Sequence, residues 1–359
     1  MLEIEGVPIQ DYVDGQRGLG TSRLLYDPVR KQLYQRQLTL PLEGEFLRVT
    51  LADEAGRSTE VTVPYAKSAW DWVFPWPPKY AGNPGSPNQN LYTDVLGDGK
   101  VGYVRISSFL SVEQDASALH RFFESIRDLP ALIIDIRGNG GGKSIYWEQN
   151  IVARLATGPV ECNFYLTWRS GEYVQPFVQA KLSSMRLQEL SKSAFVERAG
   201  PQLAGNIPPE ILTSEYAEPR VYRYVVTPRD SINYQGRIFV LVDDLCFSAA
   251  DGFAAFCKGS GFATVVGTWT RGDGIAFTPA IVTLPNSGMV VRFPSVFGLN
   301  PDFSASEEAH TSPDVMVEPS LEDILEYLAT RDSSGELRPD PSFDTQLRTC
   351  LTLALSEIN

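Results

Sequence analysis

Histidine is almost missing from this 359-residue chain; only His120 and His310 occur. The four cysteines, Cys162, Cys246, Cys257 and Cys350, show no CxxC spacing. A Cys/His zinc site therefore lacks ligands, no metal or cofactor is expected, and the cysteines read as buried structural thiols. Positive charge is short as well, with 31 Lys and Arg against 44 Asp and Glu, a net charge of −13. No basic stripe offsets it, which argues against nucleic acid or an anionic membrane surface as partner. No run approaches the roughly 20 apolar residues of a membrane span. The opening MLEIEGVPIQDY has neither the basic nor the apolar region of a signal peptide. Compartment is left open. No repeat of fixed period and no low-complexity tract occurs.

Several segments have clear patterns. Residues 2–13 read as a strand, a turn at Gly6 and the start of a helix. FLRVTLA (46–52) and STEVTV (58–63) alternate around a Gly56 turn, a hairpin signal. Residues 74–91 hold five prolines and two glycines and read as a linker. Beyond it strands and helices alternate. GYVRISSF (102–109) is a strand, and 112–127 has apolar residues at helical spacing. ALIIDIRG (131–138) and RIFVLVDD (237–244) are near-continuous apolar runs, as in buried parallel strands. SAADGFAAFCKGSG (248–261) is a small-residue helix ending on a glycine, and ATVVG (263–267) is a further strand. AIVTL and MVVRF (280–284, 289–293) form a hairpin; 320–330 and 341–357 are helical. The stretch 157–235 is less regular, with amphipathic segments such as 180–192, and reads as a helical insertion. The alternation predicts an α/β core with a mixed, partly parallel sheet.

Two segments carry chemistry. A serine directly after a buried strand, opening a helix, has the logic of a nucleophile elbow: Ser248 Oγ is exposed and the Ala249 N–H points at a developing oxyanion. The bland alternative is that Ser248 merely caps the helix. The second segment is DIRGNGGG (135–142), at the carboxyl end of another buried strand. Three successive glycines leave backbone amides uncovered. Its spacing fits neither a phosphate loop nor a dinucleotide fingerprint. In open α/β sheets, ligands bind at the carboxyl ends of strands, so both loops face one edge.

The ordered set GYVRISSF, LIIDIRGNGGG, VLVDDLCFSAAD, ATVVGTWTRGDG and SPDVMVEPS resembles the tail-specific protease family, the carboxyl-terminal processing peptidases and their tricorn-core relatives. The likeness spans roughly residues 100–330. It implies a ClpP/crotonase-like α/β core at 92–335, with the insertion at about 157–235 and a helical tail at 336–359. It also implies a partial PDZ-like α+β segment at 1–73, of the kind that takes a substrate C-terminus by strand addition. The substrate class implied is peptide or protein, and the insertion leaves room for a homo-oligomer contact.

By that resemblance Ser248 is the nucleophile, and Gly141 with the Ala249 amide is the oxyanion hole; Gly140 replaces Gly141 if the turn shifts by one. Arg271, Gly140 and Gly142 are candidates for substrate contact. The processing-peptidase branch has a basic lysine 25 residues after its serine; here that position holds Asp273. The tricorn-like branch uses a histidine oriented by a carboxylate, which here would be Glu307, with Glu308 next to it. That histidine lies upstream of the PDZ-like domain, inside which this sequence opens. His310, in EEAHTSPD, is a surrogate candidate, and His120 reads as a solvent-side residue. Three readings follow: a serine peptidase, a catalytically impaired peptide-binding protein on the same fold, and an unrelated small-ester hydrolase, which the lack of GxSxG counts against.

Overall fold

A computed structural model describes residues 90–356 apart from 184, 276–278, 321, 324–335 and 338–340. Upstream it describes 3–9, 11, 24–27, 32–35, 46–52, 56–64 and 79–80. The chain divides into two compact units, Met1–Phe74 and Pro75–Asn359.

In the first unit four short strands form an antiparallel sheet in the order Val7–Pro8, Glu3–Ile4, Phe46–Ala52, Ser58–Pro64. Glu5 and Gly6 both have positive φ (50° and 74°), the two-residue turn that suits a tight hairpin. The chain returns as a short second strand, Val7–Pro8, and the expected helix start follows it at Ile9. The 46–63 hairpin forms as its alternation predicts.

The second unit holds a six-stranded sheet. Its strands are β1 (Leu91–Leu96), β2 (Val101–Ile106), β3 (Ala131–Asp135), β6 (Arg237–Val242), β7 (Thr264–Gly267) and β9 (Val315–Met316). The spatial order is β9-β7-β6-β3-β2-β1; only β1 runs antiparallel to its neighbour. Every residue of β3 is buried. Leu132 and Ile134 join the core beneath α1 (Val112–Ser125) and α3 (Ala249–Ser260), while Ala131 and Ile133 pack with Leu347, Cys350 and Ala354 of α4 (Thr345–Leu355). Helices on both faces explain why this strand is apolar throughout rather than alternating.

The stretch 157–235 differs from expectation. It carries two long antiparallel strands, β4 (Val160–Thr167) and β5 (Arg220–Val226). They form a second sheet with Gln188–Glu189 and β8 (Phe297–Leu299). The segment 180–192 is split between the end of a helix (Gln175–Leu182) and the start of α2 (Lys192–Leu203). Polar residues such as Asn163, Arg223 and Tyr224 break the apolar pattern of these strands. Helix α3 lies between the sheets, touching β6 and β7 on one side and β4 on the other. This sandwiched position requires its small residues. All of Ala249–Cys257 is buried.

The 280–293 hairpin forms as Ala280–Thr283 with Val290–Phe293. The expected helix at 320–330 falls largely outside the described residues, while the tail helix appears as α4. The residues of the expected linker that are described include Lys79–Tyr80, which pair parallel with Glu336–Leu337. All four cysteines are free and buried. Among the described residues no helix is long and apolar enough to cross a membrane.

Candidate active site

The exits of β3, β6 and β7 lie side by side at one sheet edge, because these three neighbours run parallel. Their loops are stitched together by backbone bonds. Phe247 N–H donates to Asn139 O (3.1 Å), Arg271 N–H to Cys246 O (2.7 Å) and Ser248 N–H to Gly272 O (3.0 Å). Gly138 N–H donates to Asp243 Oδ1 (2.9 Å). The glycine loop, the serine turn and the segment after β7 therefore form one unit.

Ser248 has φ 57° and ψ −123°, a conformation that costs a non-glycine residue of order 1–3 kcal/mol. Its side chain makes no capping bond to α3. The helix-cap role for Ser248 thus fails on geometry. A strained serine whose hydroxyl is not used by its own helix is the arrangement of a nucleophile elbow. The strain is held by the Gly272 carbonyl on one side and by Gly141 on the other. A Cβ on Gly141 (φ +95°) would stand 2.6 Å from Phe247 O and 2.8 Å from Ser248 Cβ. Only glycine allows this approach.

The amides of the glycine loop are not equivalent. Asn139 Nδ2 donates to Ile106 O (3.1 Å), which fixes the side-chain amide, and its Oδ1 then accepts from Gly141 N–H (2.8 Å). Gly141 thus lies against the serine, but its N–H is already engaged. Gly140 is exposed at the tip of the turn.

The three candidate bases lie in different places. Lys258 is ten residues after Ser248, about 15 Å along α3 at the usual helical rise. Its ammonium donates to Ser312 O (2.9 Å) and Oγ (2.7 Å). His120 sits on α1 with Nε2 3.9 Å from Glu124. His310 is buried, and its ring faces the backbone carbonyls of Thr270 and Glu307. Burial, opposed by those carbonyls and assisted by the Arg271 charge, pulls its pKa below the ordinary value. It packs against the Gly272 turn, where a Cβ would stand 3.0 Å from its Cδ2. The Arg271 guanidinium stands 5.8 Å over the Phe247 ring, the residue before Ser248.

Two carboxyl features were not legible in sequence. Asp251, fourth in SAAD, is fully buried under the loop. It accepts from Thr270 Oγ1, from Thr311 Oγ1 (2.7 Å) and from Gly274 N–H (2.9 Å). Burial pushes its pKa up against those three donors. Gly252 and Gly274 meet there; a Cβ on Gly274 would fall 2.2 Å from Gly252 N. Secondly, the carboxyls of Asp273 and Glu307 face one another. Partial desolvation, then the charge and hydrogen bond of Asp273, then the charge of Asp251, push Glu307 up to about 8. Asp273 is raised by desolvation, against the hydrogen bond from Glu307 and the pull of Arg292. Burial with weaker repulsion from Glu210 raises Glu308.

A sheet edge with a strained serine and a glycine loop packed onto it defines a class, and the comparisons give it a family. The profile of peptidase family S41 matches residues 100–317, more than half of the chain, and the chain belongs to that family of serine peptidases. The resemblance seen in the motifs is thereby borne out. Among solved structures it is similar to a provisionally assigned peptidase from Parabacteroides merdae ATCC 43184, with 22% identity and a TM-score of 0.50 over 77% of this chain and 66% of that one. It is also similar to mature CPAF, solved with lactacystin, with 17% identity and a TM-score of 0.53 over 99% of this chain and 78% of that one. The chain thus spans just under two thirds of the length of the first of these. These likenesses show the fold. No curated protein matches the chain.

Proposed function

We propose that this protein is a serine endopeptidase that forms an acyl-enzyme on Ser248 and hydrolyses peptide bonds in peptides or unfolded protein segments. The observation that carries this reading is the Ser248 backbone, strained at φ 57° with its side chain released from the helix it precedes. Such strain persists where surrounding structure over-determines it, and it clusters at active sites. The Ala249 amide opens α3, where the helix dipole favours a developing negative charge. Gly140 supplies the second amide of the oxyanion hole in this reading, because the Gly141 N–H is held by Asn139. Arg271 is the candidate for holding a substrate carboxylate bidentately. The sheet of the first unit is the candidate PDZ-like element, adding a substrate tail as an extra strand.

One observation favours a second reading, a peptide-binding protein without turnover: Asp273 occupies the position where the processing-peptidase branch has its lysine. A fluorophosphonate probe with intact-mass readout separates the two. A single adduct on the wild-type chain, absent in Ser248→Ala, is the expected result. A folded chain that takes up no probe would leave only the binding reading.

A further inference from the structure

Within the reading of Ser248 as nucleophile, we propose that Asn139 is the positioning residue of its oxyanion hole. It holds the glycine loop at the serine turn without itself touching substrate. The residue is fully buried where three strand exits meet. Asn139 N–H donates to Ile136 O (3.0 Å), just past the end of β3. Asn139 O accepts from Phe247 N–H (3.1 Å), the residue before Ser248. The side-chain Nδ2 donates to Ile106 O (3.1 Å), on the last residue of β2, and Oδ1 accepts from Gly141 N–H (2.8 Å). One residue thus ties the exits of β2, β3 and β6 together.

These bonds reach the nucleophile turn in one step. The Gly141 N–H belongs to the planar peptide between Gly140 and Gly141, so the Asn139 side chain sets the orientation of that plane. A Cβ on Gly141 would stand 2.8 Å from Ser248 Cβ and 3.0 Å from Ala249 N. The peptide held by Asn139 therefore lies against the amide that opens α3. On the other flank Phe109 N–H donates to Gly141 O (2.9 Å) and Lys143 N–H to Phe109 O (3.0 Å). Those two bonds secure the Gly141–Gly142 peptide, and Asn139 secures the one before it.

The position needs a donor and an acceptor on one short side chain. Asparagine has both. Turning its amide over would set Nδ2 against the Gly141 N–H and Oδ1 against the Ile106 carbonyl, so one orientation alone satisfies the site. An ionised aspartate keeps the acceptor and loses the donor; leucine has neither. An oxyanion hole works because its donors are fixed before charge develops on the substrate, so the group that fixes them is felt in the rate of the chemical step. Three titratable groups border these bonds. Asp243 Oδ1 accepts from Gly138 N–H (2.9 Å), Cys246 Sγ donates to Ile136 O (3.0 Å) and Arg105 Nη2 donates to Arg137 O (2.9 Å).

The test is the saturation kinetics of fluorophosphonate labelling of the full chain from pH 5 to 9, with thermal melts at each pH. Asn139→Leu is expected to lower the maximal labelling rate about a hundredfold, the scale on which a displaced group at a reacting centre is felt. The half-saturating probe concentration is expected to stay unchanged, because the defect is in the chemical step. In Asn139→Asp a protonated carboxyl restores both bonds, donating to Ile106 O and accepting from Gly141 N–H. Burial favours that protonated form. The ionised form sets a bare oxygen against the Ile106 carbonyl. The Asn139→Asp rate is therefore expected to approach wild type at pH 5 and to fall about tenfold or more below it by pH 9. If Asn139→Leu does not fold, the Asn139→Asp ratio decides. Folded variants that label at the wild-type maximal rate, or an Asn139→Asp ratio that is flat with pH, overturn this proposal alone. So does an Asn139→Asp chain that is unfolded even at pH 5, where both bonds can form. No labelling of the folded wild type overturns the serine reading as well.

Discussion

Two carboxylate clusters stand along this one sheet edge and differ in how cations meet them. At the end of β3, Asp135 accepts from Arg137 Nε (3.0 Å), Arg137 Nη2 (2.7 Å) and the Tyr103 hydroxyl (2.8 Å). Arg105 Nη1 lies 3.2 Å away. The Arg137 fork also reaches Asp344 at 2.9 and 2.8 Å and Gln346 at 3.1 Å. Although burial opposes it, these guanidinium groups hold Asp135 down at about 2. At Asp273 and Glu307 the carboxyls face one another, with Arg292 pulling on Asp273, and Glu307 rises to about 8. A neutralised carboxylate locks a strand to a helix, whereas one left beside its own kind keeps a proton in reserve. Perturbed titration of the second type marks functional sites.

The comparison can be broken most forcefully at Arg137. Arg137→Met strands Asp135 and Asp344 as buried charges without their partner, and is expected to cost about 3–5 kcal/mol in urea unfolding. A loss under 1 kcal/mol would mean that Arg105 neutralises Asp135 alone. Next is Asp251, which links helix to loop. Asp251→Ala removes the acceptor of the Thr311 hydroxyl and the Gly274 N–H, while Thr270 Oγ1 keeps its bond from Thr311 N–H, costing about 1–3 kcal/mol. It is also expected to slow probe labelling tenfold or more by displacing the loop, as small misplacements at a reacting centre do. Full labelling in that variant would show that the turn holds its shape without it.

The smallest effect is on the pH dependence of stability, where the clusters have opposite sign. Asp135 is lowered from 3.8, so folding favours its ionised form. Its contribution, about 2 kcal/mol, is present above pH 4 and lost as pH falls through 2. Glu307 is raised from 4.5, so folding favours its protonated form. That contribution is full below 4.5 and disappears as pH rises through 8. Glu307 is solvent-exposed overall, and screening keeps its share small. Melting temperatures of wild type and Glu307→Gln are expected to converge at low pH and diverge in the variant's favour above pH 8. Parallel curves would mean that folding leaves the Glu307 titration unmoved.

What could be read without coordinates follows from distance along the chain. Buried parallel strands are continuous apolar runs, so β3 and β6 stand out in ALIID and RIFVLV. The Gly140–Gly142 loop and Ser248 each announce themselves within eight residues, and the parallel rule puts them on one edge. Strands β4 and β5 do not, because their outward faces carry Glu161, Asn163 and Arg223 in an uneven rhythm. Asp273 and Glu307 are 34 residues apart in sequence and belong to loops with no periodicity. Only the turn at Gly272 brings them together. Position alone identified Asp273 as a missing lysine; its partner shows what stands there instead. The Gly141 amide was legible as part of the loop but not as engaged, since that depends on the rotamer of Asn139.

The Arg137 fork also bears on the order in which the protein is made. Asp344 follows Arg137 by 207 residues and Gln346 by 209. During synthesis, β3, its glycine loop and the serine turn all leave the ribosome while Arg105 and Arg137 share Asp135 as their only carboxylate in this cluster. The second carboxylate arrives 207 residues after Arg137. Contacts of such separation form late, because a long loop must close before they reward the chain. The edge that carries Ser248 is therefore completed by a distant segment, and a nascent chain halted before α4 has Asp135 and Arg137 without the Asp344 and Gln346 side of their cluster.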